Sequence, residues 1–236
     1  MAIRALVFDF DGLILDTETP EMEVWTTIYA EHGLAYPKEY WSQTIGGWGL
    51  SNFDPAAALQ DLCTSPLDID ALRSRHRESS NALIMSSPVM PGVLEILATA
   101  KRLRLRCAIA SSSERTWVVP HLTRLGLVDD FDPIITGDDV ARGRTKPHPD
   151  IYLKVLAELG LSADEVLVFE DSPNGITAAH AAGLRVVAAP NPITALLGLE
   201  AELVLGSLAE MPLEQIIRRV TDPPRELPRA LQDAAA

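Results

Sequence analysis

Two acidic couples occupy unusual positions in this 236-residue chain. Asp9 and Asp11 close the run LVFDFDGLILDTE, Leu6 to Glu18, whose first half reads as a buried strand. Side chains at i and i+2 of a strand project to one face, about 7 Å apart. Two carboxylates so placed are unfavourable unless a cation lies between them or a proton is shared, so the pair asks for a metal or a proton-transfer task. Glu170 and Asp171 follow the apolar run VLVF, Ser111 to Ser113 follow RCAIA, and Lys146 lies in the loop RGRTKPHPD, stiffened by Pro147 and Pro149.

The elements that must position these residues follow from periodicity. Apolar runs rich in β-branched residues recur as RALVFDF, LRCAIASSS, FDPIITGDD, EVLVFEDS, LRVVAAP and, more weakly, AELVLGS. Between most of them lie helix-period segments, PGVLEILATAKRL, TWVVPHLTRLGL, DIYLKVLAELGL and NGITAAHAAGL, usually closed by a glycine of C-cap type. Strand alternating with helix predicts a doubly wound, Rossmann-like α/β core around a parallel sheet. Ligands of such sheets bind outside the carboxyl ends of the strands. With the strands as neighbours, Asp9, Asp11, Glu170 and Asp171 converge on one pocket. Mg²⁺ is the expected ion, because it favours oxygen ligands and commonly uses one or two carboxylates plus substrate phosphate. Lys146 can hold a phosphoryl oxygen as a point charge, and Ser111 with its neighbouring amides sits in an anion-binding position. A carboxylate nucleophile, cation, hydroxyl and lysine together specify phosphoryl transfer through an aspartyl-phosphate.

Between Thr17 and about Ser87 the alternation stops. Thr19-Pro20 is expected to open a helix, and helical patterns continue through EVWTTIYAEHG, PKEYWSQTI, PAAALQDL and DIDALRSRHRESSNALIM. The predicted domains are therefore 1–16 with 88–220 as an α/β catalytic core, 17–87 as an inserted α-helical cap, and 221–236 as a proline-rich loose tail. The connections near 16–19 and 86–91 would be hinges for closure over the site.

Composition narrows the partners. A net charge of −13 argues against a surface built to grip nucleic acid or anionic membrane. Two cysteines, Cys63 and Cys107, lie in apolar surroundings without metal-type spacing; both are expected to be buried in a reduced, cytoplasmic protein. With an acidic cluster so soon after Met1 no signal peptide is expected, and no apolar run approaches membrane-spanning length. Nothing demands more than a monomer, and no nucleotide-binding glycine loop points to ATP or NAD.

Four motifs in order, DFDGLILDTE, IASSS, TKPHPDIY and EDSPNGITAAHAAG, resemble the haloacid dehalogenase superfamily of phosphohydrolases, in the branch of β-phosphoglucomutase and its phosphatase relatives. The resemblance runs from about Ile3 to Pro192. It implies that Asp9 is the phosphorylated nucleophile and Asp11 the general acid and base. It further implies phosphate contacts from Ser111, Ser112 and Lys146, and Mg²⁺ held by Asp9, the Asp11 backbone carbonyl, Glu170 and Asp171. The expected substrate is a small phosphorylated metabolite. β-Phosphoglucomutase carries a basic residue in a cap loop that here reads GGWGLSN, and a histidine early in the first cap helix where Glu21 stands here. Those departures favour a phosphatase over the alternative, a sugar-phosphate mutase; a non-catalytic phospho-acceptor module is a further alternative, which Asp11 disfavours. Glu21 and Trp48 are the candidate specificity residues. Ser113 is read as a cap for the next helix, Asp16 and Glu18 equally as caps or catalytic groups, the basic run from Arg73 to Arg77 as a solvated face, and the histidines as uninformative.

Overall fold

The computed structural model describes residues 2–37 and 53–222. Six parallel strands, β1 (Ala5–Phe8), β2 (Arg106–Ala110), β3 (Ile134–Ile135), β4 (Val166–Glu170), β5 (Arg185–Ala188) and β6 (Leu203–Val204), form one sheet in the order β3-β2-β1-β4-β5-β6. Alternation along β1 divides its apolar residues between two faces. Leu6 and Phe8 face one core, which α4 (Val93–Leu103), α5 (Arg115–Leu125) and α8 (Leu213–Thr221) cover; Ala5 and Val7 face the other, under α6 (Asp150–Leu159) and α7 (Pro173–Ala181). Helices on both faces leave the central strands wholly apolar, which is why they read as continuous hydrophobic runs. The predicted doubly wound α/β core is the observed one.

Register places the chemistry. Phe8 sits opposite Ile109 on one side and Phe169 on the other. The next residues along, Asp9, Ala110 and Glu170, therefore share one level at the carboxyl edge, and the Asp9 N–H donates to the Phe169 carbonyl at 3.0 Å.

Between β1 and α4 every regular element among the described residues is helical: α1 (Glu18–Glu31), α2 (Pro55–Leu62) and α3 (Ile69–Ser86). They enclose a separate apolar cluster built on Trp25, Ile28, Tyr29 and Leu59, which also packs on Ile193 of the α/β body. The chain enters and leaves this insertion side by side. Leu15 bridges Val89 in antiparallel fashion, and the Met90 N–H donates to the Ile14 carbonyl at 2.9 Å.

Several expectations need correction. Helix α1 begins ahead of Thr19-Pro20, at Glu18, and its free N–H at Thr19 is capped by the Asp16 carboxylate at 3.0 Å. Helix α8 was not anticipated, although Leu213, Ile216 and Val220 form its buried stripe. Cys107 is buried as expected, but Cys63 is only half-buried. The segment PKEYWSQTI from Lys38 onward, the Trp48 loop and residues 223–236 lie outside the described residues. Among the described residues no helix is long and apolar enough to cross a membrane.

Candidate active site

Asp9 directly follows β1 and Glu170 ends β4, and both are buried. Gly12, at φ +82°, turns the chain away directly above Asp171. A Cβ built there would stand 2.2 Å from Asp171 Oδ2 and 2.6 Å from Asn191 Nδ2, so glycine is required by conformation and by space alike. The Asn191 amide donates to Asp171 Oδ2 at 2.8 Å. Carboxylate oxygens of Asp9, Glu170 and Asp171 all lie within 4.8 Å of one another, an arrangement that could hold a divalent metal.

Lys146 supplies the cation. It is buried, and its Nζ donates to Asp9 Oδ1 and to Glu170 Oε1, each at 2.5 Å. The loop bearing it is closed by Arg144, whose guanidinium pairs with both oxygens of Asp150 at the start of α6. Tyr152, on the first turn of α6, donates its hydroxyl to Glu170 Oε1 at 2.7 Å and places its ring 5.2 Å from Lys146 Nζ. The other oxygen of Glu170 accepts from the Asp171 N–H at 3.0 Å and the Ser172 hydroxyl at 3.2 Å. Gly175 lies against this carboxylate, since a Cβ there would fall 1.8 Å from Glu170 Oε1 and 2.2 Å from Oε2. The Glu170 carboxylate thus organises Lys146, Tyr152 and the entry to α7 at once.

The electrostatics follow from three carboxylates sharing one ammonium in a buried place. Burial pushes the Asp9 carboxyl up to about 8, with Glu170 and Asp11 adding to the rise and Lys146 opposing it. Asp171 is raised well above the usual range, by burial first and then by Asp9 and Glu170. Burial alone would lower the Lys146 ammonium, but Asp9 and Glu170 outweigh it and the net shift is upward. An additional cation would relieve these carboxylates.

Asp11 lies apart from that cluster. Its Oδ2 accepts from the Ser113 hydroxyl at 2.7 Å and the Ser111 hydroxyl at 3.3 Å, and its Oδ1 accepts from the Trp117 indole N–H at 2.8 Å. Ser113 therefore serves Asp11 and does not cap α5, whose N-cap position is Glu114. Ser111 is buried at the end of β2, where its N–H donates to the Ile135 carbonyl. The Ser112 hydroxyl is buried with no hydrogen-bond partner among the described residues.

Two carboxylates of the insertion look toward the same place. Glu18 is pushed up to about 8, by burial first and then by Glu21, Asp11, Asp16 and Asp9; Glu21 is pushed up to about 7, by burial and by Asp11. His76 holds the Glu21 carbonyl at 3.0 Å and stacks on Trp25, so this histidine ties α3 to the first turn of α1. Its neighbours Arg73, Arg75 and Arg77 are exposed as expected, and Arg73 and Arg75 pair with Asp54, Asp70 and Glu31. Asp139 caps Thr136 and pairs with Arg115, a structural duty. Tyr152, Asn191 and Trp117 escaped the sequence reading. Tyr152 falls inside the motif TKPHPDIY, while Asn191 and Trp117 have no spacing to mark them.

A family model described as haloacid dehalogenase-like hydrolase matches residues 6–189. The chain is 43% identical over 216 residues to the "Putative phosphatase YhcW" of Bacillus subtilis (strain 168), across 91% of this chain and 96% of that one. It is 32% identical over 187 residues to a "Phosphorylated carbohydrates phosphatase" of Thermotoga maritima, across 78% and 83% of the two chains. The crystal structure of CbbY from Rhodobacter sphaeroides in complex with phosphate superposes with a TM-score of 0.63 at 30% identity, covering 88% of this chain and 96% of that one.

Proposed function

Because the chain belongs to the haloacid dehalogenase-like hydrolases, enzymes whose named relatives here are phosphatases, we propose that it is a Mg²⁺-dependent phosphatase of small phosphorylated metabolites, working through a phosphorylated Asp9. The carrying observation is Lys146 Nζ lying 2.5 Å from Asp9 Oδ1, inside a cluster of three buried carboxylates at the ends of neighbouring strands. That arrangement orients an Asp9 oxygen and supplies one positive charge beside it. Asp9 attacks phosphorus while Lys146 neutralises the phosphoryl oxygens, Asp11 protonates the departing oxygen, and Asp11 then takes a proton from the water that hydrolyses the aspartyl-phosphate. Ser111 and Ser112 contribute donors to the phosphoryl group.

Asp9, Asp171, Glu170 and the Asp11 backbone carbonyl would hold Mg²⁺, whose hard oxygen preference matches this donor set. When bound, the ion neutralises the crowded carboxylates and draws charge from the phosphoryl oxygens. Ser113 and Trp117 hold the Asp11 carboxylate apart from the three-carboxylate cluster, which leaves the Asp11 backbone carbonyl as the group offered to the ion.

Residues 17–87 act as the cap over a core of 1–16 and 88–220, with the connections near 16–19 and 86–91 as hinges. Glu21 would accept hydrogen bonds from substrate hydroxyls, a role suited to a half-buried carboxylate beside Asp11; Trp48 is retained as a second specificity residue on sequence grounds. Release of inorganic phosphate from a panel of sugar and polyol phosphates, with Mg²⁺ present, tests the reading. Multiple turnovers that vanish in Asp9→Asn support it, and silence across the panel rejects it.

A further inference from the structure

Resting on the reading of Asp11 as acid and base, we infer that Trp117 is a positioning residue that decides which oxygen of Asp11 carries the working proton. The two oxygens meet donors of different kinds. Oδ1 faces the Trp117 indole N–H at 2.8 Å, whereas Oδ2 faces the hydroxyls of Ser113 at 2.7 Å and Ser111 at 3.3 Å. An indole N–H can only donate; a hydroxyl donates or accepts by rotating its hydrogen. The indole hydrogen keeps one lone pair of Oδ1 engaged and cannot turn away, whereas the Ser113 hydroxyl at Oδ2 can rotate from donor to acceptor, so a proton on Oδ2 leaves every donor of this group matched to an acceptor. Oδ2 is therefore the protonated oxygen.

Trp117 is well fixed for this task. One helical turn along α5, His121 is buried, its ring edge-on to the indole at a centroid distance of 4.4 Å, and it packs in turn near Phe10. The angle of the indole is thus set by the seating of α5 on the sheet. In the first step an Asp9 oxygen bonds to phosphorus, the bond from phosphorus to the leaving oxygen breaks, and that oxygen takes the proton from Oδ2. In the second, a water oxygen bonds to phosphorus, its proton passes to Oδ2, and the bond from phosphorus to Asp9 breaks to release phosphate.

The test replaces Trp117 with L-3-benzothienylalanine, which keeps the bicyclic shape but puts sulfur in place of the N–H; Trp117→Phe serves as a second variant. kcat/KM is measured with Mg²⁺ on phenyl phosphate and on 4-nitrophenyl phosphate. Phenolate needs protonation to leave, and 4-nitrophenolate scarcely does. The expected result is a loss of about 10-fold on phenyl phosphate, the scale of one hydrogen bond to a charged group, with 4-nitrophenyl phosphate little changed. In an Asp11→Asn background the same replacements should alter neither value. Equal losses on both substrates, or no loss on either, overturn the inference. A wild-type protein inert toward both esters would instead remove the phosphatase reading beneath it, and the inference with it.

Discussion

Lys146 and Glu170 form a buried ion pair whose ammonium also reaches Asp9, so one positive charge is shared by two carboxylates from neighbouring strands. Removing it leaves buried charge without a partner, which typically costs about 3–5 kcal/mol. Lys146→Met should therefore lower the melting temperature as well as turnover. Because the lysine also neutralises the transferring group, kcat should fall by about 10²-fold or more. Mg²⁺ should recover part of the stability but not the rate. Wild-type kinetics in this variant would remove Lys146 from the site.

Asp11→Asn is expected to spare the fold, since the amide oxygen can still accept from the Trp117 indole N–H while the NH2 group donates to the Ser113 hydroxyl, which turns its own hydrogen elsewhere. The amide cannot shuttle a proton, and general acid-base catalysis of this kind contributes about 10²–10⁴-fold. Steady-state kinetics on a sugar phosphate, with a thermal melt alongside, separate the two effects. Turnover within a few-fold of wild type would contradict the assigned role.

Gly12→Ala places a methyl where the Asp171 carboxylate and the Asn191 amide already stand, on a backbone at φ +82°. Asp171 must move. Mg²⁺ affinity measured by calorimetry should drop together with thermal stability, whereas alanine at Gly33, also at positive φ but with open space around it, should cost stability alone. Unchanged Mg²⁺ binding in Gly12→Ala would place Asp171 outside the metal site.

The raised carboxylates also predict how metal-free protein responds to pH. Asp9 and Glu18 at about 8 and Glu21 at about 7 keep protons in the folded chain that the unfolded chain has released, their ordinary values being 3.8, 4.5 and 4.5. The folded state then binds more protons than the unfolded one, so stability declines as pH rises from about 5 to about 8. Arg-paired surface carboxylates such as Glu165, held down near about 2, are fully ionised across that window and do not oppose the trend. Melting temperatures in EDTA should fall over this range, and Mg²⁺ should stabilise most at its upper end. A flat or rising curve in EDTA would contradict the crowding of charge described here.

The parallel core was legible because strands buried on both faces are continuous apolar runs with their polar residues gathered at the carboxyl ends, as at Phe8-Asp9 and Phe169-Glu170. The acidic cluster was legible for the same reason, and Lys146 from its place in the proline-stiffened loop RGRTKPHPD. What stayed hidden depends on packing between distant elements. Trp117 looks like any aromatic on an amphipathic helix until α5 is seated beside Asp11, and Asn191 sits in a loop with no periodicity. Ser113 was misread because local capping logic competes with a tertiary partner 102 positions away. Helix α8 was missed because Pro212 and a strongly charged exposed face diluted its apolar stripe.

Rapid quenching in acid during turnover of a sugar phosphate carrying labelled phosphorus addresses the central claim most directly. Label should appear transiently on the protein, map by peptide digestion to Asp9, and be absent in Asp9→Asn. Steady phosphate release with no label on Asp9 at any time would contradict the account.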